Sequence, residues 1–387
     1  MNIGIVIGRF PPDQIGGAEL QSQQLAAELA RRGHEVTVFT RRYNGRPYRQ
    51  RQEGYLICRR DELPLPGVRA VWDIPAALWN IARLRPRPDV LLCYQTLNSG
   101  LIGVLAQSLF GIPAIVSIRG NREYRWSGST INRFLVPAIY RQARHLVVQS
   151  SRILEDLHIQ LKSVGQHALS RQLEHKTSVI PNGIRVPAAA QFDGDKVVYV
   201  GRLIENKGVA DLLQAMKQFP DRKVLIVGDG PDRARLESLA QGMQVTFAGQ
   251  VAPSAVIDYL RQARLLVLPS HLGDGLPNVI IEAVANGVPV VATRTAGIPD
   301  LVYHGETGFL YEPGDIQQMT AHIGRLLTDD ALRERYSQGG RQLAHSFSWD
   351  VVAPQVIQLL ASCTLPGQDS QRSHGNAVNP SPSSKSG

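Results

Sequence analysis

Short apolar runs, many of them β-branched, alternate along this chain with longer stretches in which apolar residues recur every three to four positions. The short runs predict buried strands, and the longer stretches predict the helices that cover them. In the first half we expect strands at residues 2–7, 35–40, 89–93, 114–118 and 145–149, and helices at 18–32, 99–110 and 131–142. Strands that alternate with helices in this way are typical of a parallel α/β sheet.

The same pattern starts again after a break at Pro181-Asn182-Gly183 and the small-residue stretch 187–194, which we interpret as a hinge. Beyond the break the sequence predicts strands at 196–200, 223–227, 245–248, 265–268 and 289–292, then helices at 315–327, 330–345 and 349–362. We therefore expect two domains and a closing helix that crosses back to the first. The expected division is 1–186, 187–347 and 348–363, followed by a disordered Ser- and Pro-rich tail at 364–387.

The composition is that of a globular protein large enough for two cores: 387 residues, 43% hydrophobic and 19% charged. The chain has no run of 18 apolar residues, and its N-terminal strand pattern lacks the basic stretch of a signal peptide, so we expect neither a membrane span nor a signal peptide. Cys58, Cys93 and Cys363 are far apart in the sequence. Their spacing argues against a disulfide framework or zinc site and favours the cytoplasm.

Positive charge is concentrated in the first half of the chain. Residues 1–190 contain 25 Lys and Arg against 13 Asp and Glu, a balance of +12, whereas residues 191–387 have a balance of −3. The asymmetry indicates that the N-terminal domain meets something anionic, although scattered solubilising arginines would give the same count. A nucleic acid is a weak choice of partner, because no RNA- or DNA-reading motif accompanies the charge.

The most informative segment contains two acidic residues eight positions apart, Asp274 and Glu282. Its sequence is SHLGDGLPNVIIEAVANGVPVVATRTAGIPDLV, at 270–302. Asp274 precedes a Gly275-Leu276-Pro277 turn, and the predicted helix that starts there contains Glu282 among apolar residues. Proline is favoured in the first turn of a helix, and a glycine-containing loop that leads into a helix N-terminus forms a ready anion site. A carboxylate projecting from an apolar helix needs a partner such as a hydroxyl. A nucleotide-sugar, which has a diphosphate and hydroxyl groups, would satisfy both ends of this element.

The segment resembles the donor-site signature of retaining glycosyltransferases of family 4, written E-x7-E, with Asp274 in place of the first glutamate. Other stretches similar to the family follow in the expected order: Gly16-Gly17-Ala18-Glu19, RRGHEVTVFT, Pro181-Asn182-Gly183, GRLIENKG, Gly228-Asp229-Gly230-Pro231 and GETGFLYEP. The resemblance covers about the first 360 residues. It implies the GT-B architecture, in which two Rossmann-like, doubly wound domains face each other across a cleft.

By this resemblance the C-terminal domain binds the nucleotide-sugar. Glu282 would hold the ribose hydroxyls and Asp274 would contact the sugar, although Asp274 could also cap the helix. Arg202 and Lys207 match the family's G-R-x(4)-K-G and would stabilise the diphosphate without a metal, unless they are only surface cations. We expect the catalytic residues to be these four, and the donor-binding residues to be Gly16, Gly17, Arg202, Lys207, Gly275, Leu276, Pro277, Asn278 and Glu282. A tight turn would explain Gly16 and Gly17 equally well.

The acceptor side departs from the family. Many members carry a histidine after the fourth strand of the N-terminal domain, and Arg119 occupies that position here. An arginine cannot act as a base at neutral pH but can hold a phosphate or carboxylate. We therefore expect an anionic acceptor that contacts Arg119, Asn121 and Arg122.

A further candidate is the stretch 69–87, which contains Trp72 and Trp79 and has arginines at both ends. It could lie on a membrane surface and reach a lipid-linked acceptor. We favour an ordinary core-packed helix, because its apolar residues do not segregate to one face in the sequence.

The resemblance implies a metal-independent, retaining hexosyltransferase that needs no cofactor and moves a sugar to a glycan or lipid-linked acceptor. Its expected location is the cytoplasm, with peripheral contact at the inner face of the membrane. Two alternatives stay open: a catalytically weak or inactive sugar-nucleotide-binding protein, and another GT-B enzyme such as a nucleotide-sugar epimerase or sugar phosphorylase. The sequence does not identify the base, the sugar or the acceptor.

Overall fold

The structure is a computed structural model that describes residues 1–12, 16–61, 69–120, 123–124, 130–189, 194–272 and 275–364. It contains two lobes, each with a sheet covered by helices. The predicted α/β class and GT-B architecture are confirmed. The predicted tail lies outside the described residues from position 365 onward.

The N-terminal lobe is built on an eight-stranded sheet with the order β3-β4-β2-β1-β5-β6-β7-β8. All neighbours are parallel except β3 and β4, which are antiparallel. The central strands are buried along their whole length, as their continuous apolar sequences predict. The strands are β1 Asn2–Val6, β2 Glu35–Arg42, β3 Arg49–Gln52, β4 Tyr55–Asp61, β5 Val90–Tyr94, β6 Ala114–Ile118, β7 His145–Val148 and β8 Thr177–Val179.

In the described residues, six helices of this lobe precede the crossing between the lobes, and a π-helical turn at Thr96–Gly100 follows β5. The helices are α1 Gly17–Arg31, α2 Arg69–Arg83, α3 Leu101–Phe110, α4 Thr130–Gln142, α5 Ser151–Ser163 and α6 His167–Glu174. Helix α2 has one buried and one exposed face, so the sequence analysis was wrong to find no such separation in this stretch. Asp73, Ala77 and Ile81 are buried one turn apart, whereas Trp79 on the opposite side is 61% exposed.

The C-terminal lobe is built on a six-stranded, fully parallel sheet with the order β11-β10-β9-β12-β13-β14. Its strands are β9 Lys196–Val200, β10 Val224–Val227, β11 Val245–Gly249, β12 Ala263–Leu268, β13 Val290–Thr293 and β14 Gly308–Tyr311. Its helices are α7 Val209–Met216, α8 Arg233–Leu239, α9 Val256–Leu260, α10 Asn278–Ala285, α11 Ile316–Thr328 and α12 Asp330–Ala344.

The chain crosses between the lobes twice, and the two crossings are hydrogen-bonded to each other. The N–H of Ile184 donates to the carbonyl of Phe347 at 2.9 Å, and the N–H of Trp349 donates to the carbonyl of Ile184 at 3.0 Å. Helix α13, Trp349–Cys363, then packs its apolar face into the core of the first lobe together with β1 and α1. The predicted division at 186 and 187 falls between β8 and β9, next to this double crossing.

The order of the strands determines where a ligand can bind. In the first sheet the chain leaves β1 toward β2 and later returns to β5 on the other side; in the second it leaves β9 toward β10 and returns to β12. Ligands of doubly wound sheets bind beyond the carboxyl ends of the strands at such switch points. The two switch points therefore predict a site formed by the residues that follow these four strands.

Candidate functional site

A cavity of about 670 Å³ lies between the lobes at the place that the two switch points predict. Both lobes supply residues from the ends of their strands. The N-terminal lobe contributes Arg9, Gly16, Gly17, Ala18, Glu19, Gln95, Arg119, Gly120, Glu123, Gln149 and Asn182. The C-terminal lobe contributes Tyr199, Val200, Gly201, Arg202, Lys207, Leu268, Ser270, Gly275, Leu276, Pro277, Asn278, Val279 and Ile298.

Two helix N-termini reach this cavity from opposite lobes. Helix α1 begins after Gly16, and α10 begins after Pro277, and neither cap residue bonds the leading N–H groups through a side chain. Free N–H groups at the positive end of the helix dipole attract anions. The cavity thus offers a negatively charged ligand two backbone contact points.

Arg202 and Lys207 bring positive charge to the same cavity from the loop after β9. The side chain of Arg202 is exposed, and its carbonyl accepts a hydrogen bond from the Tyr199 hydroxyl at 3.0 Å, which fixes the turn. Gly208 follows with φ +67°, and an added Cβ would collide with the carbonyl of Pro269. Only glycine fits there, so the Lys-Gly pair of the motif allows this loop to pack against the end of β12.

Glu282 lies on α10 beyond the part of the helix that lines the cavity. Its side chain is half-buried, and its neighbours in the sequence, Ile281 and Ala283, are core residues. Burial raises its pKa to about 7. Within the described part of the chain, no protein donor is seen on this carboxylate, so a ligand hydroxyl would relieve its desolvation.

Three predicted site residues lie outside the described residues: Asp274, Asn121 and Arg122. Gly275, the first described residue after Asp274, has φ +125°, and a side chain there would collide with the carbonyl of Arg119 in the opposite lobe. The loop that carries Asp274 therefore ends in direct contact with the wall of the N-terminal lobe.

Arg119 lies at the wall that the sequence assigned to the acceptor. Its Nη2 donates to Asn182 Oδ1 at 2.6 Å, and its guanidinium lies 4.8 Å from the centre of the Tyr94 ring. Glu123 accepts hydrogen bonds from the N–H groups of Arg119 and Thr96, both at 2.7 Å, while burial raises the pKa of its carboxyl. Arg119 is thus a positioned cation that faces the cavity.

In the sequence analysis, Asn182 was named only as part of the hinge and of a family stretch, and Gln149 and Gln95 were not named. All three line the cavity, together with the predicted residues Gly16, Gly17, Arg119, Arg202, Lys207, Gly275, Leu276, Pro277 and Asn278; the predicted Glu282 is not among the lining residues. Gln95 has φ 77° and ψ 145°, a conformation that is costly for any residue except glycine and that is concentrated at functional sites. Asn182 and Gln149 follow strands β8 and β7 in the chain. Their positions after strand ends were the signal that could have identified them.

Among the residues that the structure describes, no helix is long and apolar enough to cross a membrane. Over the same residues, no group of three His, Cys, Asp or Glu side chains is arranged to hold a metal ion.

Two family profiles match adjacent parts of the chain. The profile described as "Glycosyl transferase 4-like domain" matches residues 16–163, and "Glycosyl transferases group 1" matches residues 185–343. The sulfoquinovosyl transferase of Arabidopsis thaliana is 31% identical over 163 residues, which are 41% of this chain and only 32% of that protein. The phosphatidyl-myo-inositol mannosyltransferase of Mycobacterium tuberculosis is 26% identical over 383 residues, 93% of this chain and 96% of its own length.

Solved structures share the fold. Sucrose-phosphate synthase from Thermosynechococcus elongatus superimposes with a TM-score of 0.79 at 24% identity, over 93% of this chain and 98% of its own. Anabaena HepE, solved in complex with UDP-glucose, gives a TM-score of 0.73 at 19% identity, over 94% and 100%. The two profiles, the matching relative and the two-lobed fold agree, and the chain belongs to the family 4-like, group 1 glycosyltransferases with the GT-B fold.

Proposed function

We propose that the chain transfers a hexose from a nucleotide-sugar to a glycan or lipid-linked acceptor, with retention of anomeric configuration. The observation that supports this most is the convergence of two helix N-termini and two cations on one cavity between the lobes. Such an arrangement is complementary to a diphosphate. HepE, a fold neighbour, has been solved with UDP and with UDP-glucose, which supports a nucleotide-sugar in the same kind of cleft.

In the proposed reaction, Arg202, Lys207 and the start of α10 stabilise the departing diphosphate as charge develops on it. Glu282 holds the ribose hydroxyls, and Asp274 contacts the sugar. Asp274 is one methylene shorter than the family's glutamate, so its contact with the sugar is longer or passes through water. The leaving phosphate takes the proton of the acceptor hydroxyl on the same face, and no metal or cofactor takes part.

We further propose an acceptor with a negative charge, held at the wall that contains Arg119. Arg9 and Arg119 both line that side of the cavity. Arg119→Ala should raise the KM for the acceptor more than the KM for the donor, because Arg119 also donates to Asn182, which contacts the donor lobe. An unchanged acceptor KM would remove this part of the proposal.

A lipid-linked acceptor would bring the protein to a membrane surface, and the outside of the N-terminal lobe suits one. Trp79 on α2 and Leu109 on α3 are 61% and 63% exposed. Arg83 stacks over the ring of Trp79 at 5.1 Å, and Arg87 over the ring of Phe110 at 5.7 Å. Exposed aromatic residues next to arginines are typical of surfaces that bind anionic lipid headgroups.

The experiment that tests the proposed function has two stages. A thermal-shift panel of UDP-, GDP-, ADP- and TDP-sugars identifies the donor, and mass spectrometry then follows that donor with a membrane extract as the acceptor source. A product heavier by one hexose, with its anomeric configuration read by NMR, supports the proposal. Donor binding without any transfer would instead favour a sugar-nucleotide-binding protein, and an isomerised donor or free sugar phosphate would favour an epimerase or a phosphorylase.

A further inference from the structure

Asn182 joins the two lobes at the edge of the cavity. It is 3% exposed, and its Oδ1 accepts hydrogen bonds from Arg119 Nη2 at 2.6 Å and Gln149 Nε2 at 2.7 Å, both in the N-terminal lobe. Its Nδ2 donates to Asn278 Oδ1 at 2.5 Å and to the carbonyl of Leu276 at 3.3 Å, both in the C-terminal lobe. One buried amide thus uses its acceptor on one lobe and its donors on the other.

The hydrogen-bonded contact continues from Asn278 to the start of helix α1. Asn278 Nδ2 donates to the carbonyl of Gly17 at 3.3 Å. Gly17 is the first residue of α1, and Asn278 is the first residue of α10. The amide pair therefore links the two helix N-termini that face each other across the cavity.

The turn that carries Asn182 is fixed to the N-terminal lobe by other contacts. Gln21 Nε2 donates to the carbonyl of Gly183 at 3.0 Å, and the N–H of Gly183 donates to Gln21 Oε1 at 3.1 Å. The ring of Trp349 packs against Gly183 so closely that a side chain there would collide with it. Asn182 is consequently presented to the C-terminal lobe from a rigid support.

We propose that Asn182 is a positioning residue that holds the lobes together and sets the separation of the α1 and α10 N-termini. A buried amide that loses its partners is costly, so parting the lobes would leave the Asn182 donors unsatisfied unless water reached them. The proposal rests on the proposed function in one respect: the two helix ends would grip the same diphosphate only at this separation.

The test compares Asn182→Ala and Asn278→Ala with Gln21→Ala. Asn182→Ala removes the bridge and Asn278→Ala removes its side-chain acceptor, whereas Gln21→Ala weakens the same turn without touching residues 276–278. Small-angle X-ray scattering of the ligand-free proteins should show a larger radius of gyration for both bridge variants and an unchanged one for Gln21→Ala. Thermal unfolding confirms that each variant is folded. If Asn182→Ala does not fold, Asn278→Ala alone decides the outcome.

Calorimetry with UDP, GDP and ADP adds the functional measurement. For the nucleotide that the wild type binds best, Asn182→Ala should raise the Kd about tenfold, the effect of losing one or two good hydrogen bonds. The double variant with Asn278→Ala should be no weaker than the weaker single variant, because both substitutions act on the same bridge. Additive losses, or an unchanged radius of gyration in the bridge variants, would overturn the inference. A wild type that binds none of the three nucleotides would count against the proposed function, and scattering would still decide the role of Asn182.

Discussion

Glu282 offers the sharpest test of the proposed donor site, because the same carboxylate that would bind the donor destabilises the empty protein. It lies half-buried on α10, and burial raises its pKa to about 7. In the unfolded chain a glutamate has a pKa of about 4.3. Replacing Glu282 by Gln keeps the shape of the side chain and removes the charge, so the variant should be more stable and bind the donor more weakly.

The sign and size of the stability effect follow from linkage. Between about pH 4.5 and pH 7 the folded protein keeps a proton on Glu282 that the unfolded chain has lost, so stability falls as the pH rises through this window. Each unit of pKa shift corresponds to about 1.4 kcal/mol, which gives a penalty of about 4 kcal/mol above pH 7. Glu282→Gln should therefore be about 4 kcal/mol more stable at pH 8 and close to the wild type at pH 4.5.

Donor binding should favour the ionised form of Glu282, whereas folding without the donor favours the protonated form. Ribose hydroxyls that donate to Glu282 favour its ionised form and lower its pKa in the complex. The affinity of the wild type should then fall by up to tenfold for each pH unit below 7, because binding must release a proton. Glu282→Gln loses the charged acceptor and should bind about 10- to 100-fold more weakly at pH 8, with little dependence on pH.

Denaturant unfolding from pH 4.5 to 8 and calorimetry with the donor over the same range measure both effects. Glu306→Gln, which removes an exposed carboxylate from the same lobe, controls for the change in net charge. Equal stability of Glu282→Gln and wild type at pH 8 would refute the assignment of a buried, unpaired carboxylate. A pH-independent donor affinity in the wild type would refute the contact with hydroxyl donors.

Further predictions concern the diphosphate site, the metal, the core and the membrane. Arg202→Ala and Lys207→Ala should each lower kcat about 100-fold, whereas Lys223→Ala, an exposed cation at the start of β10, should have no effect in the same steady-state assay. Activity should persist after dialysis against EDTA, and a loss restored by Mg²⁺ would contradict metal independence. Asp73→Asn breaks a buried pairing with two arginines and should cost about 3 kcal/mol in urea unfolding. Those arginines lower the pKa of Asp73, so its stabilisation should be lost as the pH falls below about 4. Trp79→Ala should weaken co-sedimentation with vesicles that contain phosphatidylglycerol. Equal binding by the variant and the wild type would contradict the proposal that this surface binds a membrane.

The sequence predicted the central strands and most helices because buried parallel strands have continuous apolar sequences that differ clearly from amphipathic helices. Strand β6 has the predicted bounds 114–118 and β9 the predicted bounds 196–200. Strand β3, with the sequence RQRQ, was missed because an antiparallel edge strand needs no apolar residues. The stretch 158–176 is polar and has no clear apolar period in the sequence, so no element is predicted there; the structure shows that it contains the end of α5 and all of α6.

For the site, the order of the family motifs along the sequence identified residues that follow the ends of strands within one lobe. Contacts between the lobes could not be predicted, because no local sequence pattern indicates that Asn182 is hydrogen-bonded to Asn278, 96 residues further along the chain. The same limit applies to Gly275, where an added Cβ would collide with the carbonyl of Arg119 in the opposite lobe. A glycine in a loop suggests a turn, whereas the collision of an added side chain with the carbonyl of Arg119 is seen only in the assembled cleft.

The charge asymmetry of the chain gains a more specific meaning from the structure. Of the basic residues in the described part of the N-terminal lobe, Arg9 and Arg119 line the cavity, and the others lie elsewhere. Some are neutralised in ion pairs, such as Arg41 and Arg60 with Asp73. Two exposed arginines next to aromatic rings lie instead at the end of α2 and in the segment after it: Arg83 over Trp79, and Arg87 over Phe110 of α3. The excess of +12 is therefore stronger evidence for binding to an anionic surface outside the cleft than for an anionic acceptor inside it. Because salt screens exposed charges most, high salt should weaken vesicle binding more than donor binding.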